Sequence, residues 1–218
     1  MDILDSRALR YTDCFAQKFT LPGQVQYQIT TSGGTFLPLD PDHVFTIEVK
    51  ERPKEAKPKA DDEGETHEVT VRRDGQQFTA NPPKLQISVG DVVLWRANDP
   101  STPGFAIRGE GKGGSFDSSA LTGSSLYTHA FGTPGEYRWV DANGGPVSGV
   151  LRVNPLPSDD KKERDKWIKN LSIGLLVTVN GNSATPNDIK MAVGQTVFWA
   201  IEKASGITIT DARLVRQK

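Results

Sequence analysis

The chain has 218 residues, of which 26 are basic and 27 acidic, and its formal net charge is −1. This length suits one large domain or two small ones, and 21 glycines with 14 prolines favour a turn-rich, mostly β protein over a helical one. The balanced charge excludes the basic excess of a general nucleic-acid binder, and no apolar run is long enough to span a membrane.

Cysteine, histidine and the first residues of the chain limit its chemistry and its compartment. One cysteine, Cys14, excludes an internal disulfide framework, and three histidines make a multi-ligand metal cluster hard to build. The first residues, MDILDSRALRYTDC, include acidic side chains and lack the apolar core of a signal peptide. We therefore expect that the chain is made in the cytoplasm and that it does not span a membrane. We expect an extracytoplasmic location only if the native chain starts before Met1.

The first charged segment, residues 51–66, is predicted to be a linker. It overlaps Lys50–Glu65, which carries five basic and six acidic residues and offers almost nothing for a core to bury. Such a mixture is typical of a solvated tether. A domain boundary is therefore expected on either side of it.

The segment after this linker, residues 67–156, is predicted to be a run of short β-strands. Its apolar side chains alternate or cluster in runs that are bounded by Gly, Pro, Asn or Ser. The predicted strands are Glu68–Val71, Lys84–Val89, Val92–Trp95, Leu126–Phe131, Tyr137–Val140 and Gly149–Val153. Many short strands at this spacing indicate a β-sandwich or a barrel.

The second charged segment, residues 157–170, is predicted to be a linker that contains one short helix. Ser158 is expected to cap the helix, with two aspartates in its first turn and lysines near its end. Trp167 and Ile168 are expected to anchor the helix to a domain.

The chain also repeats itself in an unusual order. The run PKLQISVGDVVLW (Pro83–Trp95) matches NDIKMAVGQTVFW (Asn187–Trp199), and FGTPGEYRW (Phe131–Trp139) matches FTLPGQVQY (Phe19–Tyr27). The middle segment therefore holds a front half and a back half. The N-terminal segment holds only a back half, and the C-terminal segment holds only a front half.

Neither half closes a sandwich alone, because each would expose a sheet edge and a bare apolar face. We therefore predict one continuous domain over residues 67–156 and a second domain assembled from residues 1–50 and 171–218. The second domain closes either within one chain or between neighbouring chains. Closure between chains would give a strand-exchanged homo-oligomer.

The middle segment resembles a cupredoxin, the family of plastocyanin-like proteins. The matching residues are Phe78, Pro82 or Pro83, Leu85, Ile87, Gly90, Asp91, Val93, Trp95, Asn98, Asp99, Phe131, Pro134, Gly135, Tyr137, Gly149 and Val153. The split domain resembles the family more weakly. The resemblance implies an all-β protein of two cupredoxin-like Greek-key β-sandwiches.

The resemblance also implies where copper ligands would lie, since a blue-copper site uses two His, one Cys and a weakly bound Met. In the order His, Cys, His and Met, these positions are Gly104 or Phe105, Asp141, Asn143–Gly145 and Val147. None has the required side chain, and the cysteine position of the split domain falls near Ile29. We therefore predict that the chain binds no copper and needs no cofactor.

Three further features admit a functional and a structural interpretation. The run Gly109–Gly114 satisfies G-x-G-x-x-G but lacks a helix after it, so we predict a flexible glycine-rich loop that contacts a partner at most. His129 lies in an alternating strand and is predicted to be packed or exposed rather than a ligand. His43 is predicted to follow a turn built on Pro41, with a weak divalent-metal site as the alternative.

Cys14 is predicted to be a small residue that is buried or half-buried and has no paired base. The triplet Asn170-Leu171-Ser172 matches a glycosylation acceptor, which matters only in a secreted chain. The tryptophans predicted to lie in the core are Trp95, Trp139 and Trp199. Trp167 is the tryptophan expected at a contact.

No catalytic constellation emerges from these residues, so we predict no enzymatic activity and no catalytic, cofactor-binding or metal-binding residues. We expect a structural or protein-binding component of a larger assembly, such as a virion or an injection machine, whose partners are proteins or copies of itself. The alternative is an extracytoplasmic module that recognises a glycan or a small ligand through its loops.

Overall fold

The computed structural model describes residues 2–32, 44–52, 64–157, 159–204 and 206–215. These residues are almost entirely β-strands and their connections, so the predicted all-β class is confirmed. The chain divides into two compact units. The N-terminal unit is Arg7–Ser119, and the C-terminal unit is Ala120–Lys218 together with Met1–Ser6.

The N-terminal unit is a sandwich of two sheets. Its strands are β1 Asp13–Lys18, β2 Gly23–Thr31, β3 Phe45–Lys50, β4 Thr66–Asp74, β5 Gln77–Asn81, β6 Lys84–Ser88, β7 Val92–Ala97, β8 Phe105–Gly111 and β9 Gly114–Asp117. One sheet has the order β1-β7-β4-β5, and the other has the order β6-β3-β2-β8-β9.

The C-terminal unit contains one helix and a second pair of sheets. Its elements are β10 Ser125–Ala130, β11 Gly135–Asp141, β12 Ser148–Asn154, α1 Lys161–Leu171, β13 Leu175–Asn180, β14 Ser183–Thr185, β15 Asp188–Ala192, β16 Thr196–Lys203 and β17 Ile209–Asp211. One sheet has the order β14-β13-β16-β10, and the other has the order β15-β12-β11-β17.

Eight strands of the N-terminal unit, β1–β8, repeat as β10–β17 in the C-terminal unit. β3 pairs in parallel with β6 as β12 does with β15, and β4 pairs in parallel with β7 as β13 does with β16. The antiparallel pairs β2–β8 and β1–β7 likewise correspond to β11–β17 and β10–β16. The strands β1–β8 therefore correspond to β10–β17, whereas β9 and α1 have no counterpart among the described helices and strands.

The predicted domain boundaries are wrong, although the repeat behind them is present. Ile47 of β3 faces Leu85 of β6, so the N-terminal back half pairs with the front half that follows it. Leu151 of β12 faces Ile189 of β15, so the middle back half pairs with the C-terminal front half. Each back half thus joins the next front half in the chain, in keeping with the preference for short connections. Residues 67–156 do not form one domain, and the remaining halves do not form the other.

Alternating burial along the strands places three tryptophans in the cores, as predicted. Trp95, Trp139 and Trp199 are fully buried. The Trp95 ring lies 5.5 Å from the Phe15 ring and 5.4 Å from the Tyr27 ring, between their centroids. The Trp199 ring lies 5.9 Å from that of Trp139 at a steep angle. Each core is therefore organised around aromatic side chains from both halves of its unit.

Residues 2–6 form an arm that belongs to the C-terminal unit. Asp5 bridges to Thr210 of β17, and the N–H of Asp211 donates to the carbonyl of Leu4 over 2.9 Å. Leu4 is fully buried, and the Asp2 carboxylate accepts from the N–H of Thr133 over 2.8 Å. The arm thus occupies the same side of β17 that β9 occupies beside β8.

The linkers differ from their predictions in detail. Helix α1 begins after Asp160, whose carboxylate accepts from the N–H groups of Lys162 and Glu163, so the predicted cap at Ser158 is wrong. Asp160 takes this role because it directly precedes the first helical residue. Trp167 anchors the helix by donating its indole N–H to the Val193 carbonyl over 2.8 Å, whereas Ile168 is exposed. Most of the first linker, residues 53–63, lies outside the described residues.

In each unit, the side chain directly after the glycine turn forms hydrogen bonds with the end of a linker. In the N-terminal unit, the Asp91 carboxylate accepts from Arg52, from His67 Nε2 and from the N–H of Glu65 over 2.9–3.0 Å. In the C-terminal unit, the Gln195 amide donates to the Asn170 carbonyl over 2.9 Å. The same position is therefore a charged clamp in one unit and a neutral clamp in the other.

Among the residues that the structure describes, no helix is long and apolar enough to cross a membrane.

Candidate functional site

Three of the positions implied for copper ligands, Asp141, Asn143–Gly145 and Val147, lie at one end of the C-terminal unit, whereas Gly104 and Phe105 lie in the N-terminal unit. Their counterparts in the C-terminal unit are Gly206 and Ile207, since Leu121 bridges to Ile207 as Leu9 bridges to Phe105. Asp141 Oδ1 accepts from the N–H of Thr208 and from the N–H of Asn143, each over 3.0 Å. The implied cysteine position and the implied second histidine position therefore lie beside the segment that corresponds to the implied first histidine position, not beside Gly104 or Phe105 themselves.

These residues form a hydrogen-bonded polar cluster. The Asn143 side-chain amide donates to the Gly206 carbonyl over 2.7 Å and to Thr208 Oγ1 over 3.1 Å. The Asp141 carboxylate occupies the space that a side chain at position 145 would need, so Gly145 fits there. Val147, in the same loop, is buried. The cluster thus ties the loop after β11 to the chain that enters β17.

The donor atoms of this cluster do not fit a blue-copper ion, because they include neither a thiolate nor an imidazole. Within the described ranges, no group of three or more His, Cys, Asp or Glu side chains could hold a metal ion. The absence of copper stays a prediction. In the N-terminal unit, Ile29 pairs with Ile107, and residues 33–43, which follow β2, lie outside the described residues.

The glycine-rich motif is not a flexible loop, contrary to its prediction. Gly109 and Gly111 lie in β8, and Gly114 begins β9, where it pairs with Gly111 across a tight hairpin. Gly109 leaves the space that the Phe116 ring occupies. The glycines therefore serve close packing and the turn.

His129 is packed in the core, with its ring 4.6 Å from that of Phe131. It also lies near the buried Asp211. Burial opposes ionisation of Asp211, but hydrogen bonds from Arg213 outweigh this and hold the pKa of Asp211 below its ordinary value. Cys14 is half-buried, as predicted.

Two other candidate residues have simpler outcomes. His43 lies outside the described residues, together with its turn at Pro41. Asn170, the first residue of the glycosylation triplet, lies in the last turn of α1, where its carbonyl accepts from Gln195.

The sequence analysis did not single out an apolar surface on the outer side of the sheet β14-β13-β16-β10. Val177 and Val179 of β13 point into the core. Leu176, directly before Val177, points to the other side and is 56% exposed. We call this surface the apolar face. Its members are Leu126 of β10, Leu176 of β13, and Phe198 and Ala200 of β16. Ile173, which precedes β13, is 53% exposed.

Strand register brings these side chains together. Leu176 faces Phe198 on the neighbouring strand, and Ala200 faces Leu126 on the next one. Gly174 leaves room for the Phe198 ring, so the chain that enters β13 passes close over it. The apolar face therefore spans three adjacent strands.

The corresponding surface of the N-terminal unit is charged at two of the four positions, and Leu94 and Cys14 are the counterparts of Phe198 and Leu126. Because Trp95 and Trp199 are counterparts, the register makes Glu68 the counterpart of Leu176 and Arg96 the counterpart of Ala200. Arg96 Nη2 lies 2.8 Å from Glu68 Oε1 in an ion pair. The fold itself therefore does not require apolar side chains at these positions.

Comparison of the chain with known proteins gave no match to a protein-family model, to a curated protein or to a solved structure.

Proposed function

We propose that the chain is a non-enzymatic, copper-free protein-binding component of a larger assembly, and that a partner binds the apolar face. The observation that carries this proposal is the exposure of Leu176 beside Phe198, at a position that the charged Glu68 occupies in the other unit. Contiguous apolar side chains that are left in contact with water commonly mark interaction surfaces.

The energetic argument favours a covered face. Full burial of a leucine or isoleucine side chain stabilises by roughly 1.5–3 kcal/mol relative to exposure. Leu176 is about half exposed, so a partner that covers it would recover roughly 1 kcal/mol from this side chain alone. Exposure to water carries no comparable free-energy cost for an ion pair such as Glu68–Arg96, because its charged groups are hydrated.

The two units supply the variant that tests this proposal. The double substitution Leu176→Glu/Ala200→Arg copies the Glu68–Arg96 pair onto the apolar face, so it should preserve the fold. Affinity-tagged chains are expressed in the source cells, and co-purifying proteins are quantified by mass spectrometry with in-cell cross-linking. We expect proteins cross-linked near β13 and β16 to be lost with this variant and retained with Glu68→Gln. An unchanged set of partners with the double variant would refute the proposal.

We also propose that both units are copper-free relatives of cupredoxins. The proposal is supported by the Gly-Asp turn before Trp95, the Pro134-Gly135 turn before β11, and the position of Asp141 beside Thr208. An experimental structure superposed on copper-containing members of the family would test it, with a different strand order as the contrary result.

A second candidate function is recognition of a glycan or another hydroxyl-rich small ligand. The observation that favours it is a shallow depression on the N-terminal unit that Gln24, Gln26 and Glu110 line with amide and carboxylate groups. Titration with mixed oligosaccharides should then shift amide resonances of β2 and β8. Resonances that stay in place at millimolar sugar would exclude this candidate.

A further inference from the structure

We infer that the partner of the apolar face presents an amphipathic helix with carboxylates beside its apolar stripe. This inference rests on the proposed function and concerns the chemistry of the partner. Three properties of the face support it: its size, its shape and the charge at one of its ends.

The size of the face matches one helix. Neighbouring strands lie about 4.8 Å apart, so three strands span about 10 Å, and four residues along β13 span about 13 Å. A stable dimer interface covers roughly 800 Å² per partner, which is several times this area. A single helix with side chains is about 10–12 Å across. Any partner docked by the apolar face alone would therefore be held weakly, and a single helix matches the size of the face better than a second copy of this chain does.

The shape of the face also favours a helix. Leu176, Phe198 and Leu126 lie on adjacent strands of one sheet, and their side chains form a low surface rather than a deep pocket. Packing of an apolar helix stripe on a sheet face is a common layer arrangement in proteins. Apolar residues at i, i+3, i+4 and i+7 of the partner would then meet the face.

The charge near the face favours a partner with carboxylates. At the end of the face near α1, Lys166 and Lys169 accompany one carboxylate, Asp165, whereas Glu202 follows Ala200 on the same side of β16 at the other end. Both lysines are exposed on the last two turns of α1, four to seven residues before Ile173. Gln195 ties this end of the helix to the start of β13 by donating to the carbonyls of Asn170 and Ile173. Carboxylates at the matching end of the partner helix would therefore complement the lysines.

The test uses two designed peptides and the full chain. Both peptides are 18-residue helices with the same Leu/Ala stripe, and they differ only in whether Glu or Lys flanks the stripe. Binding is measured by fluorescence anisotropy at 50 mM salt, and the contact surface is mapped from amide shifts of the isotope-labelled chain. We expect the Glu-flanked peptide to bind at least tenfold tighter, with shifts confined to β10, β13, β16 and the end of α1.

Two variants make the result specific. Lys166→Glu/Lys169→Glu changes only exposed side chains, so it should fold normally and should reverse the preference to the Lys-flanked peptide. Leu176→Glu/Ala200→Arg should weaken both peptides at least tenfold. Glu68→Gln, on the N-terminal unit, should leave both affinities unchanged.

The failures of the two proposals are distinguishable. Equal affinity for the two peptides would overturn the inference about the partner. Binding of neither peptide would also overturn it. In both cases the proposed function stands if Leu176→Glu/Ala200→Arg still loses its cellular partners. An unchanged set of cellular partners with that variant would overturn the proposed function itself.

Discussion

Removal of the Asp91 carboxylate should loosen the N-terminal unit more than any change at an exposed carboxylate. Asp91 is buried, and its two oxygens accept from the N–H groups of Ser88 and Glu65, from Arg52 and from His67 Nε2. Through these bonds it joins the end of β3, the start of β4 and the turn before β7. We expect Asp91→Ala to release all three segments.

The magnitude follows from the groups that lose their acceptor. A hydrogen bond to a charged group contributes roughly 1.5–3 kcal/mol, and a buried N–H without a partner costs roughly 1–3 kcal/mol. Because neighbouring bonds do not add, we expect Asp91→Ala to lower the free energy of unfolding by about 3 kcal/mol. Asp91→Asn keeps one acceptor oxygen and should cost about half as much. Asp74→Asn, at an exposed strand end, should stay within about 0.5 kcal/mol.

The clamp also makes stability depend on pH. Burial opposes ionisation of Asp91, but hydrogen bonds from two backbone N–H groups and from His67 outweigh it and hold its pKa below the ordinary value. The stabilisation is therefore complete above the unfolded pKa of about 3.9 and is lost as the pH falls through the lower, folded pKa. The difference between the wild type and Asp91→Asn should shrink below about pH 4.

Urea unfolding followed by the indole N–H resonance of Trp95 measures this effect in the N-terminal unit, since Trp95 is the one tryptophan among residues 7–119. Titrations at pH 7 and pH 3 give the two free energies for each variant. Equal stability of the wild type and Asp91→Ala at pH 7 would refute the reasoning. So would a difference between the wild type and Asp91→Asn that grows as the pH falls.

Three further predictions concern the tryptophans of the two cores, the N-terminal arm and the absence of copper ligands. Trp95→Ala and Trp199→Ala should each cost roughly 3–5 kcal/mol, and hydrogen exchange should show loss of protection in β1–β3 for the first and in β10–β12 for the second. The reverse assignment would contradict the pairing. Leu4→Ala should destabilise the C-terminal unit by roughly 2–5 kcal/mol and leave the N-terminal unit unchanged, whereas calorimetry that shows no shift would contradict a buried arm. Metal analysis after incubation with Cu(II) should find far less than one equivalent per chain, and a strong absorption near 600 nm would contradict the prediction.

Much of the fold could be predicted because its signals are local. Alternation over Lys84–Val89 and the turn at Gly90 identify two strands, and the same pattern before Trp199 identifies two more. The match between these runs also shows that the chain contains two similar units. The buried tryptophans follow from their place after the turn.

The pairing of the halves could not be predicted from the same signals. Ile47 of β3 finds an apolar partner in Leu85, and Ile189, the counterpart of Leu85, would serve equally well. Because the halves repeat each other, the hydrophobic pattern fits both arrangements. The order of the halves along the chain decides between the two arrangements. The prediction of a domain over residues 67–156 instead rested on the continuity of the middle segment.

The candidate site depended on this pairing. Asp141 was recognised as a ligand position, but its neighbour Thr208 lies in a segment that had been assigned to another domain. The apolar face was missed for a related reason, since Leu176 alone is an ordinary strand residue. Only the register that sets Leu176 against Glu68 and Ala200 against Arg96 shows that this surface differs between the units.

The pairing is the central claim, because the comparison of the two outer faces depends on it, and fragments test it most directly. Residues 7–119 and residues 67–156 are expressed separately, and their amide proton–nitrogen spectra are recorded under the same conditions. We predict a dispersed spectrum for 7–119, with one set of backbone amide peaks from its non-proline residues, and a collapsed spectrum for 67–156. A dispersed spectrum for 67–156 together with a collapsed one for 7–119 would contradict the account.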